Sequence, residues 1–137
     1  MMPSGHELSD AEYAALADFR RTLRQFQAFS EERAADFGLT PQQHQVLLTI
    51  RGASPRPVSI GYVAERLFVK PHSASGLIVR LETLALIARR PSPHDGRQAL
   101  LELTPKAREI LERLSTVHRD EIVRMRPMLK QLLDTIA

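Results

Sequence analysis

"RPSPHDGRQALLEL", residues 90–103, is the stretch on which the chain's reading turns. Pro91, Pro93 and Gly96 are turn formers. The run that follows sets Ala99, Leu101 and Leu103 against Leu100 and Glu102, which is the period of a strand. "LIARRP" just before it is a second short strand, so the two predict a hairpin with His94, Asp95 and Arg97 on its tip. A turn needs none of these charges, and their presence asks for a reason beyond the turn.

Upstream of the hairpin, Ser59 can cap a short helix in which Ile60, Val63, Ala64 and Leu67 recur at i, i+3, i+4 and i+7. Phe68, Val69 and Lys70 separate it from Pro71, which opens a second helix with Ala74, Leu77, Leu81 and Leu84 as its inner face. Two short helices joined by a three-residue turn fit a helix-turn-helix. Before them, Thr40, Pro41 and Gln43 form a start signal for a helix that buries Val46, Leu47 and Ile50 and stops at Gly52.

Long helices flank this lobe. Ser9 and Glu12 make a capping box, and Leu16, Phe19, Leu23, Phe26 and Phe29 form an apolar stripe running to about Phe37, where Gly38 ends it. After the hairpin, Thr104-Pro105 begins a helix with Ile110, Leu111, Leu114, Val117, Ile122 and Met125 on its apolar side. Pro127 then opens a short last helix carrying Leu129, Leu132, Leu133 and Ile136. The expected architecture is mainly α. One domain over 1–137 has a lobe at 40–103, containing the helix-turn-helix and a two-stranded hairpin, flanked by helices at 8–38 and 105–137. The apolar stripes of the terminal helices need a cover. A two-fold partner is the expected one, and packing of the first helix on the last is the alternative.

Charge is unevenly spread. Net charge is −2 over residues 1–55, +4 over 56–97 and +1 over 98–137, so the excess positive charge lies in the segment that holds the helix-turn-helix and hairpin. That asymmetry suits a polyanion-binding surface. The chain has no cysteine, which excludes disulfides, thiolate metal sites and a cysteine redox sensor. No window approaches the roughly 20 apolar residues of a membrane span. The N-terminal stretch lacks the pattern of a signal peptide, and a cytoplasmic location is expected.

The second helix of such a pair enters the major groove of DNA by its N-terminal residues. Its outward face is expected to hold His72, Ser73, Ser75, Gly76, Val79, Arg80 and Thr83. Hydroxyls and imidazole can donate to phosphates or base edges, and Val79 can meet a thymine methyl, although a solvated helix is polar outside as well. Arg97 at the hairpin tip has the place of a minor-groove probe. Asp95 cannot favourably touch phosphate. Its expected task is internal, either accepting hydrogen bonds from tip N–H groups or pairing with an arginine to hold Arg97 outward. His94 receives no role.

The order of elements resembles the MarR-type winged-helix transcriptional regulators over nearly the whole chain. The resemblance rests on "LTPQQHQVLLTI", on "VSIGYVAERLFVKPHSASGLIVRLETLALIARRPSPHDGRQALLELTPKAREIL", and above all on Asp95-Gly96-Arg97 followed by Leu103-Thr104-Pro105. It implies a homodimer built by the terminal helices, a palindromic duplex operator, recognition helices in adjacent major grooves and wings in minor grooves. The DNA-contacting set is then Lys70, His72, Ser73, Ser75, Gly76, Arg80, Arg89, Arg90 and Arg97, with Asp95 as brace. Many members carry arginine or lysine where this sequence has Gly76, and serine where it has Lys70, which shifts the expected specificity toward DNA shape and the wing. A subset of similar sequences shares the stretch His72-Ser73-Ala74. The missing cysteine removes the peroxide-sensing branch.

The resemblance also implies control by a small aromatic or anionic effector. Phe26, Phe29 and His44 are the candidate lining residues, with core packing as the other role for the phenylalanines. Such a ligand is expected to favour a dimer whose half-site spacing no longer matches a helical turn of DNA. No enzymatic activity is expected, since no nucleophile, phosphate-binding glycine loop or His-x-x-x-His pair accompanies His94 and Asp95. The five histidines are dispersed, and neither metal nor cofactor is expected. The rival to DNA binding is a winged helix that has turned to a protein partner, against which the charge of the middle segment speaks.

Overall fold

Helix capping fixes most of the element boundaries. In the computed structural model, which describes residues 7–136, the Ser9 hydroxyl accepts from the Glu12 N–H at 3.1 Å and the Glu12 carboxylate accepts from the Ser9 N–H at 2.9 Å. They open α1 (Asp10–Asp36), which ends where Gly38 adopts a φ of +75°. Thr40 and Gln43 form the same reciprocal pair at 3.1 and 3.0 Å before α2 (Pro41–Gly52). There follow β1 (Val58–Ser59), α3 (Ile60–Leu67), α4 (Pro71–Thr83), β2 (Ile87–Pro91), β3 (Ala99–Leu103), α5 (Pro105–Arg124) and α6 (Arg126–Ile136).

The chain divides into two compact units, one formed by Glu31–Thr116 and the other by the described parts of Met1–Ser30 and Val117–Ala137. The division falls inside α1 and α5, because the last turns of α1 and the first half of α5 supply Ala34, Ala107, Leu111 and Leu114 to the core of the Glu31–Thr116 lobe. Leu47, Val63, Ile78, Leu81 and Leu101 are fully buried beside them, each contributing roughly 1.5–3 kcal/mol by leaving water.

The sheet has three strands in the order β1-β3-β2, all antiparallel. Val58 pairs with Leu101 on one side of β3, and Arg89 pairs with Leu101 on the other. The sequence reading held only two strands. Two residues between Pro57 and Ile60, the second of them the cap of α3, are too few to show a period, and β1 exists because β3 offers it an edge.

The inner face of α4 also differs from the expected one. Leu84 lies beyond the helix and is 41% exposed, while Ile78, absent from the expected face, is fully buried. Ala85 takes a φ of 60°, and the Leu86 N–H closes back on the Leu81 carbonyl at 2.9 Å. This reversal turns Leu84 out and Leu86 in. The Thr104 hydroxyl donates to the Ala85 carbonyl at 2.7 Å and accepts from the Ala107 N–H at 3.2 Å, so one side chain both secures the reversal and caps α5.

In the second unit, α1 presents half-buried Phe19, Leu23, Phe26 and Phe29, and no residue of this helix before Ala34 is fully buried. His118 and Leu132 are its buried side chains among the described residues. Leu16, Val117, Ile122, Val123, Leu133 and Ile136 stay exposed. A hollow of about 250 Å³ lies between the start of α1, at Ala11, Ala14 and Asp18, and α6, at Met128 and Leu132.

Candidate nucleic-acid interface

The helix-turn-helix is set by its turn. The Ser59 hydroxyl accepts from the Tyr62 N–H at 3.1 Å to begin α3, and Phe68 ends it in the left-handed region with φ 56° and ψ 40°. Lys70 stands at the N-cap of α4 without a side-chain capping bond, and Pro71 opens the helix. Ala74, Ile78 and Leu81 anchor α4 inward. This leaves His72, Ser73, Gly76, Val79, Arg80 and Thr83 on the exposed side.

Ser75, expected on that outer face, is half-buried at its flank, because it lies next to Ala74 and one turn before Ile78 and Val79. The Thr83 hydroxyl donates to the Val79 carbonyl at 3.0 Å and so has a partner within the helix. A Cβ built on Gly76 would meet nothing within 4 Å, so the helix surface there is open.

The hairpin tip spans residues 92–98 and is organised by backbone bonds. The Ser92 N–H donates to the Gln98 carbonyl at 2.9 Å, and the Gln98 N–H to the Asp95 carbonyl at 3.0 Å. The Ser92 hydroxyl accepts from the His94 and Asp95 N–H groups at 3.2 and 3.3 Å. The Asp95 carboxylate accepts from the Arg97 N–H at 3.0 Å, an Asx turn, and makes no ion pair among the described residues. Of the two internal tasks considered for Asp95, the structure contains the backbone bond and lacks the arginine pair. The Arg97 guanidinium has no carboxylate partner among the described residues and is exposed.

Two other cations of the predicted contact set are engaged within the lobe. The Arg89 guanidinium donates to Glu82 at 2.7 Å, tying β2 to α4, and Arg90 pairs with Glu102 across the hairpin at 2.8 Å. Lys70, Arg80 and Arg97 are not so paired. The lobe therefore presents a polar helix face and a braced tip with positive charge uncompensated on both, which is the electrostatic footprint of a phosphate-bearing polymer.

The residues proposed to line an effector site lie in different settings. Phe26 and Phe29 meet His118, a residue the sequence reading did not single out, in edge-on contacts with ring centres 5.9 and 5.7 Å apart. His118 Nε2 is 2.7 Å from the Ser30 hydroxyl. Its position one turn beyond Leu114 on the inward side of α5 is the signal that would have found it. His44 is buried on the inner face of α2 with Val46 and Leu47. Among the described residues no group of three or more potential ligands could hold a metal ion, and no helix is long and apolar enough to cross a membrane.

Comparison with known proteins agrees with this geometry. The model of the MarR family matches residues 37–98, from just past the end of α1 to the hairpin tip. Solved structures share the fold along most of their length. MepR, a transcription regulator of the Staphylococcus aureus multidrug efflux pump MepA, is 18% identical with a TM-score of 0.74, over 87% of this chain and 96% of its own. YusO from Bacillus subtilis is 24% identical at 0.69, over 93% and 94%. AbsC, a MarR family transcriptional regulator from Streptomyces coelicolor, is 20% identical at 0.71, over 93% and 84%. No curated protein matches the chain in sequence. The mainly helical winged architecture is the expected one.

Proposed function

We propose that the protein is a dimeric, sequence-specific regulator of transcription that binds palindromic double-stranded DNA in the cytoplasm, a repressor released by a small ligand. The observation that carries this reading is the pairing, in one lobe, of an uncovered polar face on α4 with an exposed Arg97 held on a hydrogen-bonded tip. Support also comes from a variant of MepR, sharing 18% identity and the fold, that was solved bound to an oligodeoxyribonucleotide.

In this reading α4 enters the major groove with His72, Ser73, Gly76 and Arg80, flanked by Lys70 and Ser75, and Arg97 enters the minor groove. Arg89 and Arg90 must exchange or share their carboxylate partners to reach phosphate. Dimerisation gives the exposed side chains of the terminal helices a cover, and the two-fold axis then repeats the lobe on the second half-site. Phe26 and Phe29, arranged around His118, are the proposed aromatic contacts of an effector.

Selection of bound duplexes from a random pool over a range of salt tests the reading. A regulator yields an enriched palindromic sequence and an affinity that falls steeply with salt. Absence of duplex binding at low salt would overturn it in favour of a protein-binding winged helix.

A further inference from the structure

The winged-helix lobe holds a second group of uncompensated cations that neither the recognition helix nor the wing tip uses. Arg56 stands in the loop between α2 and β1. Its guanidinium carbon lies 5.8 Å from the centre of the Tyr62 ring, and that of Arg66, one turn further along α3, lies 5.9 Å from the same ring. Arg56 also lines a hollow of about 50 Å³ with Arg51, from the last turn of α2, and Arg108, from the first turn of α5. Glu102 borders the hollow, but its carboxylate is 2.8 Å from Arg90.

None of Arg51, Arg56, Arg66 and Arg108 is ion-paired among the described residues. Gathering guanidinium groups beside a single carboxylate that is paired with Arg90 leaves their mutual repulsion largely uncompensated, which an anion seated between them would relieve. The negative face of the Tyr62 ring holds two of these cations in place without neutralising them. Three planar forks bordering one small hollow suit a tetrahedral oxyanion, which a guanidinium can meet with two parallel N–H donors.

The location separates this group from the wing tip. The hollow is lined by Leu101, Glu102 and Leu103 from the second half of β3, whereas the tip adjoins Ala99, two to four residues away along the strand, or about 7–13 Å.

We propose that this cluster is a phosphate-binding site distinct from the groove-reading elements. The phosphate belongs either to a duplex backbone or to a free anion such as pyrophosphate. None of these arginines belongs to α4, so the site stands whether or not α4 reads DNA. The test follows the arginine side-chain N–H resonances of the full chain by nuclear magnetic resonance, at constant ionic strength, during titration with pyrophosphate and separately with a short duplex.

Arg51, Arg56 and Arg108 are expected to shift together while Arg20, exposed on α1, does not. The double change Arg56→Gln and Arg108→Gln is expected to weaken the titration about ten-fold. Shifts with the duplex assign the phosphate to the DNA backbone, and shifts with pyrophosphate alone assign it to a free anion. Equal movement of every arginine, or a double variant that titrates as the wild type does, would overturn the proposal.

Discussion

The two compact units solve the burial problem differently. In Glu31–Thr116, helices and a small three-stranded sheet close around Leu47, Ile78, Leu81 and Leu101. Helices alone make up the described parts of the other unit, and they leave Leu16, Val117, Ile122, Val123, Leu133 and Ile136 in water. A sheet backed by helices is covered by its own chain, whereas antiparallel helices that each carry an apolar stripe complete a bundle only with more helices. The contrast fits the proposed dimer, in which the lobe's stability is its own and the terminal helices take their cover from assembly.

The largest expected effect strikes the lobe. Leu81→Ala removes a fully buried side chain from the helix that carries the contact face, and should cost about 2–5 kcal/mol in denaturant unfolding, with loss of DNA binding following the loss of fold. A cost under about 1 kcal/mol would show that the lobe core is looser than its burial indicates.

Ile122→Glu tests the other side of the comparison. Half-exposed in the single chain, it should leave lobe unfolding nearly unchanged while weakening the proposed dimer by about 3 kcal/mol through a charge buried without a partner. Sedimentation over a concentration series reads this directly, and an unaltered mass would place the dimer contact elsewhere.

Within the lobe, Arg97→Ala should weaken duplex binding by about 1–3 kcal/mol and lower the salt slope by about one, with the unfolding midpoint unmoved. Asp95→Ala removes the acceptor of the Arg97 N–H and should cost binding by a smaller amount, about 1 kcal/mol, since it disorders the tip without deleting the probe. Equal affinities for Asp95→Ala and wild type in a fluorescence titration would reduce the aspartate to a turn former.

The smallest effect is stabilising. Gly76 sits in the interior of α4 with open space around it, so Gly76→Ala should raise stability by about 0.5–1 kcal/mol, measured by thermal or denaturant unfolding. Destabilisation would mean that the helix surface at this point is not free.

Much of this architecture was legible because local chemistry writes it. Ser9 with Glu12 and Thr40 with Gln43 announce their helices and form the bonds that their spacing implies. The period-two run at 99–103 and the tip before it gave the hairpin, and the spacing of Ile60, Val63, Ala64 and Leu67 gave α3. The sequence also marked Arg97 and the outer side of α4 as uncommitted to the core.

What escaped the sequence depended on partners distant along the chain. β1 is a strand only because β3 lies beside it, and Leu84 faces out because Ala85 reverses the backbone to send Leu86 inward. The carboxylates that hold Arg89 and Arg90 stand seven and twelve residues away in the chain, and the aromatic contacts of His118 come from α1. Arg51, Arg56 and Arg108 belong to three separate segments, so no window of sequence could show that they border one hollow.

By itself, then, the sequence determined the helices, the hairpin, their caps and most of the apolar faces, all of which rest on interactions a few residues apart. Only the tertiary structure decided which charges are satisfied and which remain available. Electrostatic pairing depends on distance in space, and folding brings together groups that the chain keeps far apart.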